Sequence, residues 1–207
     1  DVLGSRGLGD VYKRQQDEFQ AFLECVADKP ISYYAFEMLY WTGIREGELL
    51  ALTPADFNFE KKTLRINKSY QRLEGKDVIT DPKTPKSNRT IVMSDFLAVE
   101  MENFISSLYG IRDDDRIFTI SKSYLHHEMD RGAKLAGVKK IRIHGLRHSH
   151  ISLLINLGFS ALAIGERVGH EAVDITYHYA HLFPTVQTDM AAQLETEREA
   201  LVNVRKE

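Results

Sequence analysis

The segment GHEAVDITYHYAHLF, positions 169–183, sets Tyr177 and Tyr179 one residue apart, with His170, His178 and His181 around them. A tyrosine hydroxyl becomes a nucleophile when a neighbouring base takes its proton, and histidine suits that task near neutral pH. Each helical residue turns the chain by about 100°, so positions i and i+2 point roughly 200° apart. Tyr177 and Tyr179 therefore cannot both face one site. In HGLRHSH, His144 and Arg147 lie at i and i+3 and can share one side of a helix start. A helix N-terminus also favours an anion, and this pair of side chains suits a phosphate. His144 with His148, and His178 with His181, are spaced like metal ligands. No HExxH occurs and no acid is placed as a further ligand, so metal is the lesser reading. His148 and His150 read as satisfied helix residues.

Two more stretches carry reactive side chains. In TGIREGELLAL, Arg45 opens a short helix, and Glu48 three residues on can hold its guanidinium. In DPKTPKSNRTIVM, Lys83 and Lys86 occupy a turn between strands, from which a lysine can reach into a cleft. Taken singly, Arg45 reads as a solvated arginine and Lys83 as a solvated turn residue. RDDDR at 112–116 reads as a charged loop between helices, since no second carboxylate group supports a two-metal site. GxxxxGK[ST] is missing, so nothing marks an ATP site. GSRGLGD near the start has no strand before it and no βαβ unit after it, which excludes a glycine-rich nucleotide loop.

The elements that must position these residues are mostly helical. QDEFQAFLECVAD puts Phe19, Phe22, Leu23 and Val26 on one stripe. ISYYAFEMLYWTG is an apolar helix after Pro30 that stops at Gly43. KTLRI, KDVIT and RTIVM are short strand-like runs, predicting one small antiparallel sheet near positions 62–93. Helical patterns return in DFLAVEMENFISSLYG, SYLHHEMDRGAKLAG and HGLRHSHISLLINLG. SALAIGERVG follows, with Ser160 as N-cap and Gly169 as stop. AVDITYHYAHL is a further short helix, and Pro184 opens a charged C-terminal one. The fold class is mainly α with a small antiparallel β-sheet. The first fifteen residues show no helical or strand period and read as a disordered leader, or as sequence not native to the domain.

Composition sets the outer limits. The chain has 207 residues, 43% hydrophobic and 28% charged, which is ordinary globular material with room for one full core. No apolar run approaches the length needed to cross a membrane. Cys25 is the single cysteine and reads as a buried small hydrophobe, in keeping with a reducing cytosol. The net charge of -3 argues against holding nucleic acid by bulk charge. Basic residues nevertheless concentrate between Lys61 and Arg89 and again between Arg131 and Arg147, so a local basic face is available.

The order of the motifs says more than any one of them. TGIREGELLAL, then KTPKSNRTI after two strand-like runs, then HGLRHSH, then VGH, then a tyrosine nine residues later, resembles the catalytic domain of the tyrosine recombinases. The flavour is that of the integrases of phages and integrative elements. The resemblance runs from about Gln16 to Phe183. It sets Arg45 at the first family arginine and Glu48 at the acid that follows. Lys83, in KT-x-x-S-x-R, falls at the hairpin lysine, with Lys86 the lesser substitute. His144 and Arg147 match the H-x-x-R pair, and His170 the histidine or tryptophan before the last helix. Tyr179 falls at the nucleophile, by its spacing from His170 and its Y-x-H-L context.

The resemblance implies a DNA breaking-rejoining fold over residues 16–183, with residues 184–207 as a helix that docks on a neighbouring protomer. It implies site-specific recombination of mobile DNA through a 3′-phosphotyrosyl intermediate on Tyr179. Arg45 and Arg147 would clamp the phosphate, Lys83 would protonate the leaving oxygen, and His144 would serve as acid and base toward Tyr179. His170 would support the phosphate and Glu48 the arginines. Neither cofactor nor metal is called for. The implied partners are double-stranded DNA attachment sites, further protomers, and an excisionase or host DNA-bending protein, in the bacterial cytosol. Family members carry an N-terminal DNA-binding domain that this chain does not display. Two other readings compete: a catalytically silent DNA-binding module, and an activity of the type IB topoisomerase kind.

Overall fold

The computed structural model describes residues 8–82, 85–170 and 172–179, together with 191, 194–196 and 198. Lys83, His181 and nearly all of the expected C-terminal helix lie outside the described residues. Helix α1 spans Leu8–Val26. Its backbone thus starts eight residues before Gln16 and runs through the second half of the expected leader. VYKRQQ contains no helix breaker, and extending an existing helix costs little compared with nucleating one. Its Phe19, Phe22, Leu23 and Val26 stripe is buried, as the spacing requires.

Helix α2 (Pro30–Thr42) starts on a proline, which loses nothing at a first turn. It ends at Gly43, whose φ of 66° is left-handed and whose N–H bonds to Leu39 O at 3.1 Å. A Cβ on Gly43 would also lie 2.5 Å from the His150 ring, so only glycine fits that junction. Phe19 stacks on Tyr40 with centroids 3.8 Å apart, joining α1 to α2. Helix α3 (Glu46–Leu49) is a single turn.

Two small sheets follow where one was expected. Strands β1 (Phe57–Asn58), β2 (Thr63–Ile66) and β5 (Arg89–Val92) form an antiparallel sheet in the order β1-β2-β5. Leu64 pairs with Ile91 in its buried face. Strands β3 (Ser69–Leu73) and β4 (Lys76–Thr80) form a separate hairpin. Glu74 and Gly75 both take positive φ at its tip, the geometry that suits a two-residue hairpin turn. The hairpin is held to the body by Arg116, which lies 4.3 Å from the Tyr70 ring and pairs with Asp77 at 3.0 Å.

Helices α4 (Asp95–Ser107), α5 (Lys122–Ala136), α6 (Ile143–Asn156), α7 (Ala161–Val168) and α8 (Ala172–Tyr179) complete the described fold. The Ser160 hydroxyl caps α7 by accepting the Ala163 N–H at 3.3 Å, and Gly169 closes it with φ 70°. A large core runs from Phe19 to Leu146 across α1–α5, the three-stranded sheet and the first turns of α6. Phe36, fully buried there, contributes about 1.5–3 kcal/mol by leaving water. A separate small cluster joins Ile151 and Ile155 of α6, Ile164 and Val168 of α7, and Ile175 and Tyr179 of α8. Among the described residues, no helix is long and apolar enough to cross a membrane.

Candidate active site

The C-terminal end of α7 gathers arginines. Arg89 Nε donates to Arg167 O at 2.8 Å, Arg147 Nη2 to Val168 O at 2.5 Å, and Arg45 Nη2 to Gly169 O at 3.2 Å. Three successive carbonyls at a helix end, where the backbone dipole is negative, thus each receive a guanidinium from a distant element. Gly169 must be small here, because a Cβ would sit 3.0 Å from Lys86 O and 3.1 Å from Arg89 Nη1.

Glu48 organises two of the three. It accepts from Arg45 Nη1 at 2.9 Å and from both Nη atoms of Arg89 at 3.0 and 2.9 Å. Burial pushes its carboxyl up, but the bonds and charges of Arg89 and Arg45 outweigh burial, and its pKa falls below the ordinary value. The spacing of Arg45 and Glu48 anticipated their bond. Arg89 as the fuller partner of Glu48 was not anticipated, since 41 residues separate them.

Arg45 and Arg147 differ in exposure. Arg45 leaves 34% of its side chain open, whereas Arg147 as a residue is only 2% exposed. Arg147 is held by Val168 O and, through Nη1, by Gly43 O at 2.5 Å. Among the described residues, its Nε–H has no acceptor. Burial, then the positive charge of Arg45, lower its pKa to about 9. A buried donor without an acceptor is costly, so this site favours an anion.

A groove of about 890 Å³ opens beside these arginines. Arg45, Glu48, Lys86, His144 and His170 all contribute to its wall. Burial, then the charges of Arg147 and Arg45, lower His170 to about 4. Burial, then His148, Arg147 and Arg45, lower His144. Both imidazoles are therefore neutral hydrogen-bonding groups at neutral pH. Among the described residues, no group of three or more His, Cys, Asp or Glu side chains is placed to hold a metal ion.

The two tyrosines part company as helical geometry demands. Tyr177 is 82% exposed, while Tyr179 is 8% exposed within the small cluster. Burial raises the Tyr179 pKa, and the charge of Arg147 opposes that rise. The Tyr179 hydroxyl is hydrogen-bonded to His148 Nδ1. The resemblance assigns the acid–base role toward Tyr179 to His144, and the histidine in contact with the hydroxyl is His148. His144 stands one helical turn earlier, edge-on to the His148 ring with centroids 4.8 Å apart. The i, i+4 spacing of the two histidines was visible in the sequence. Which turn of α6 faces α8 depends on packing and was not.

The chain is similar to known proteins in sequence and in fold. The chain is 31% identical over 194 residues to the ICEBs1 integrase of Bacillus subtilis (strain 168), covering 86% of this chain and 53% of that protein. It is 31% identical over 179 residues to the integrase of Staphylococcus phage L54a, covering 78% of this chain and 51% of that protein. The chain thus spans about half the length of either relative. Its fold matches that of the Tn1549 transposon integrase, solved in complex with a circular intermediate DNA, at a TM-score of 0.71. That match covers 84% of this chain and 63% of the other, at 23% identity. A model of the phage integrase family matches residues 12–185, most of the chain, which therefore belongs to the phage integrase family.

Proposed function

We propose that the chain is the catalytic part of a site-specific recombinase that integrates or excises mobile DNA by breaking and rejoining strands through Tyr179. The buried guanidinium of Arg147 carries this reading. Among the described residues its Nε–H has no acceptor, and its charge acts on both Tyr179 and the groove histidine His170. A phosphate oxygen is the acceptor that best suits a guanidinium in such a place.

The chemistry follows from the residue types. Tyr179 attacks a DNA phosphodiester, giving a 3′-phosphotyrosine and a free 5′-hydroxyl, and the bond energy is kept for rejoining. Arg45 and Arg147 bind the non-bridging oxygens and stabilise the charge that grows in the transition state. His144 and His170, neutral on the groove wall, donate to the same phosphate. Lys83 protonates the leaving oxygen, with Lys86 on the groove wall as the lesser candidate. Glu48 and Arg89 fix the approach of Arg45. Double-stranded attachment sites and further protomers are the partners, with residues 184–207 as the docking segment between protomers. An excisionase or host DNA-bending protein is a further partner, and the reaction takes place in the bacterial cytosol.

The test is covalent trapping on a nicked duplex built from the ends of the element that encodes the chain. Wild type and Tyr177→Phe should both yield a protein–DNA adduct, and Tyr179→Phe none. An adduct that vanishes with Tyr177→Phe instead would reverse the assignment of the nucleophile. No adduct from wild type favours a silent DNA-binding module. Relaxation of supercoiled plasmid without sequence preference favours the topoisomerase reading.

A further inference from the structure

We propose that His148 is the base that takes the proton from Tyr179 as its oxygen attacks. The assignment rests on the reading of Tyr179 as nucleophile. It departs from the motif pattern, which points to His144.

The contact itself is the first argument. His148 Nδ1 and the Tyr179 hydroxyl are hydrogen-bonded between α6 and α8, two helices otherwise joined through the small apolar cluster. A candidate base must first be within reach of the proton it removes, and His148 is. His144 stands behind His148, ring edge to ring face, and lines the groove. The two histidines thus divide the work by position, His144 toward the phosphate and His148 toward the tyrosine.

The electrostatics suit a base. The groups that face His148 are Arg147 and His144 on its own helix, and His178 and Tyr179 on α8. Burial, then the charges of Arg147 and His178, lower the His148 pKa, so the ring is neutral at neutral pH. With hydrogen on Nε2, the Nδ1 lone pair accepts the tyrosine proton. The step balances. The bond from phosphorus to the Tyr179 oxygen forms as its proton passes to Nδ1. The bond from phosphorus to the 5′-oxygen breaks, and that oxygen takes a proton from Lys83. On rejoining, the imidazolium returns its proton to Tyr179, and Lys83 recovers its own from the 5′-hydroxyl.

Asparagine at 148 is the informative variant, because its amide reaches the place of Nδ1 and can hold the hydroxyl without accepting a proton. The first arm needs no DNA. Nitrogen-15 NMR of the histidine rings should show the His148 Nδ1 signal moving in Tyr179→Phe; an unchanged signal denies the contact and overturns the proposal. The second arm uses the nicked duplex, with either an oxygen or a sulfur at the 5′-bridging position. At neutral pH, His148→Asn should form adduct about 100-fold more slowly or worse. Sulfur should rescue Lys83→Ala, which lacks the acid, and leave His148→Asn slow. The rate of His148→Asn should climb about tenfold per pH unit as the tyrosine ionises by itself. Wild-type rates in His148→Asn, or a slow variant that keeps the wild-type pH profile, overturn the base assignment. No adduct from wild type removes the nucleophile reading, and the base with it, while the NMR arm still reports the contact.

Discussion

The large core and the small cluster carry different parts of the site. The large core anchors the residues around Arg45 and Glu48 and reaches the first turns of α6, near His144 and Arg147. The small cluster holds Tyr179 on α8, which packs chiefly on α7. The seam between them is fastened by arginines. Arg147 links Gly43 O to Val168 O, and Arg167 reaches from α7 to Trp41 O, Val92 O and His150 Nε2. The groups proposed to hold the phosphate therefore sit on a deep apolar base. The tyrosine sits on a thin one, where local opening is easier. The proposed role of Tyr179, a nucleophile that must form and later release a covalent bond, suits the more easily moved element.

The strongest way to break this comparison is at the seam. Arg147→Lys keeps the charge but cannot reach two carbonyls and a phosphate with one planar group. Adduct formation should fall about 100-fold or more, in line with the loss of one transition-state donor. Single-turnover trapping with saturating duplex measures it. Near wild-type rates would mean that the seam arginine is structural and that the anion is held by the groove wall alone.

The next test compares the two apolar regions directly. Phe36→Ala, in the large core, should destabilise the whole domain by about 3–5 kcal/mol. Ile175→Ala, under α8, should cost about 2 kcal/mol, because a small cluster can collapse around the loss. Denaturant unfolding gives the two energies. Hydrogen exchange adds their reach: Ile175→Ala should speed exchange in α7 and α8 and leave α1 and α2 protected. Equal loss of protection in all four helices would show one cooperative unit and remove the distinction.

Much of this arrangement was readable in the residues. The stops at Gly43 and Gly169 and the cap at Ser160 are local chemistry, and each stands where its residue type requires. The opposed faces of Tyr177 and Tyr179 follow from one helical angle. Other features depend on partners far along the chain. SYQRL becomes a strand because its hairpin docks on Gly47 and under Arg116; its own residues are too polar to announce it. Arg89 looked like one member of a basic run until Glu48 was found within both its Nη atoms. His148 looked like a satisfied helix residue because the helix that satisfies it lies 31 residues away.

Buried charge offers the gentlest test of the same comparison. Glu37 of α2 is 5% exposed, at the edge of the large core and outside the groove wall. Burial, then the Glu100 carboxylate, raise its pKa to about 7, although the Trp41 indole N–H pulls the other way. Its folded pKa thus exceeds its unfolded one, near 4.5. The fold binds this proton more tightly than the unfolded chain does, so the contribution of Glu37 is complete below about pH 4 and is lost as pH rises through 7. Glu37→Gln keeps an acceptor for Trp41 and never ionises. It should therefore be more stable than wild type by about 1–3 kcal/mol above pH 7, with the gap closing toward pH 5. Thermal unfolding across that range measures it. Adduct formation should stay at the wild-type level throughout, because this charge faces no phosphate. A loss of adduct with Glu37→Gln would mean that the large core transmits strain to the groove, and that the two regions are not separable. An unchanged rate beside the Arg147→Lys collapse would set the two buried charges apart: the one in the core opposes the fold at neutral pH, and the one at the seam is kept for its anion.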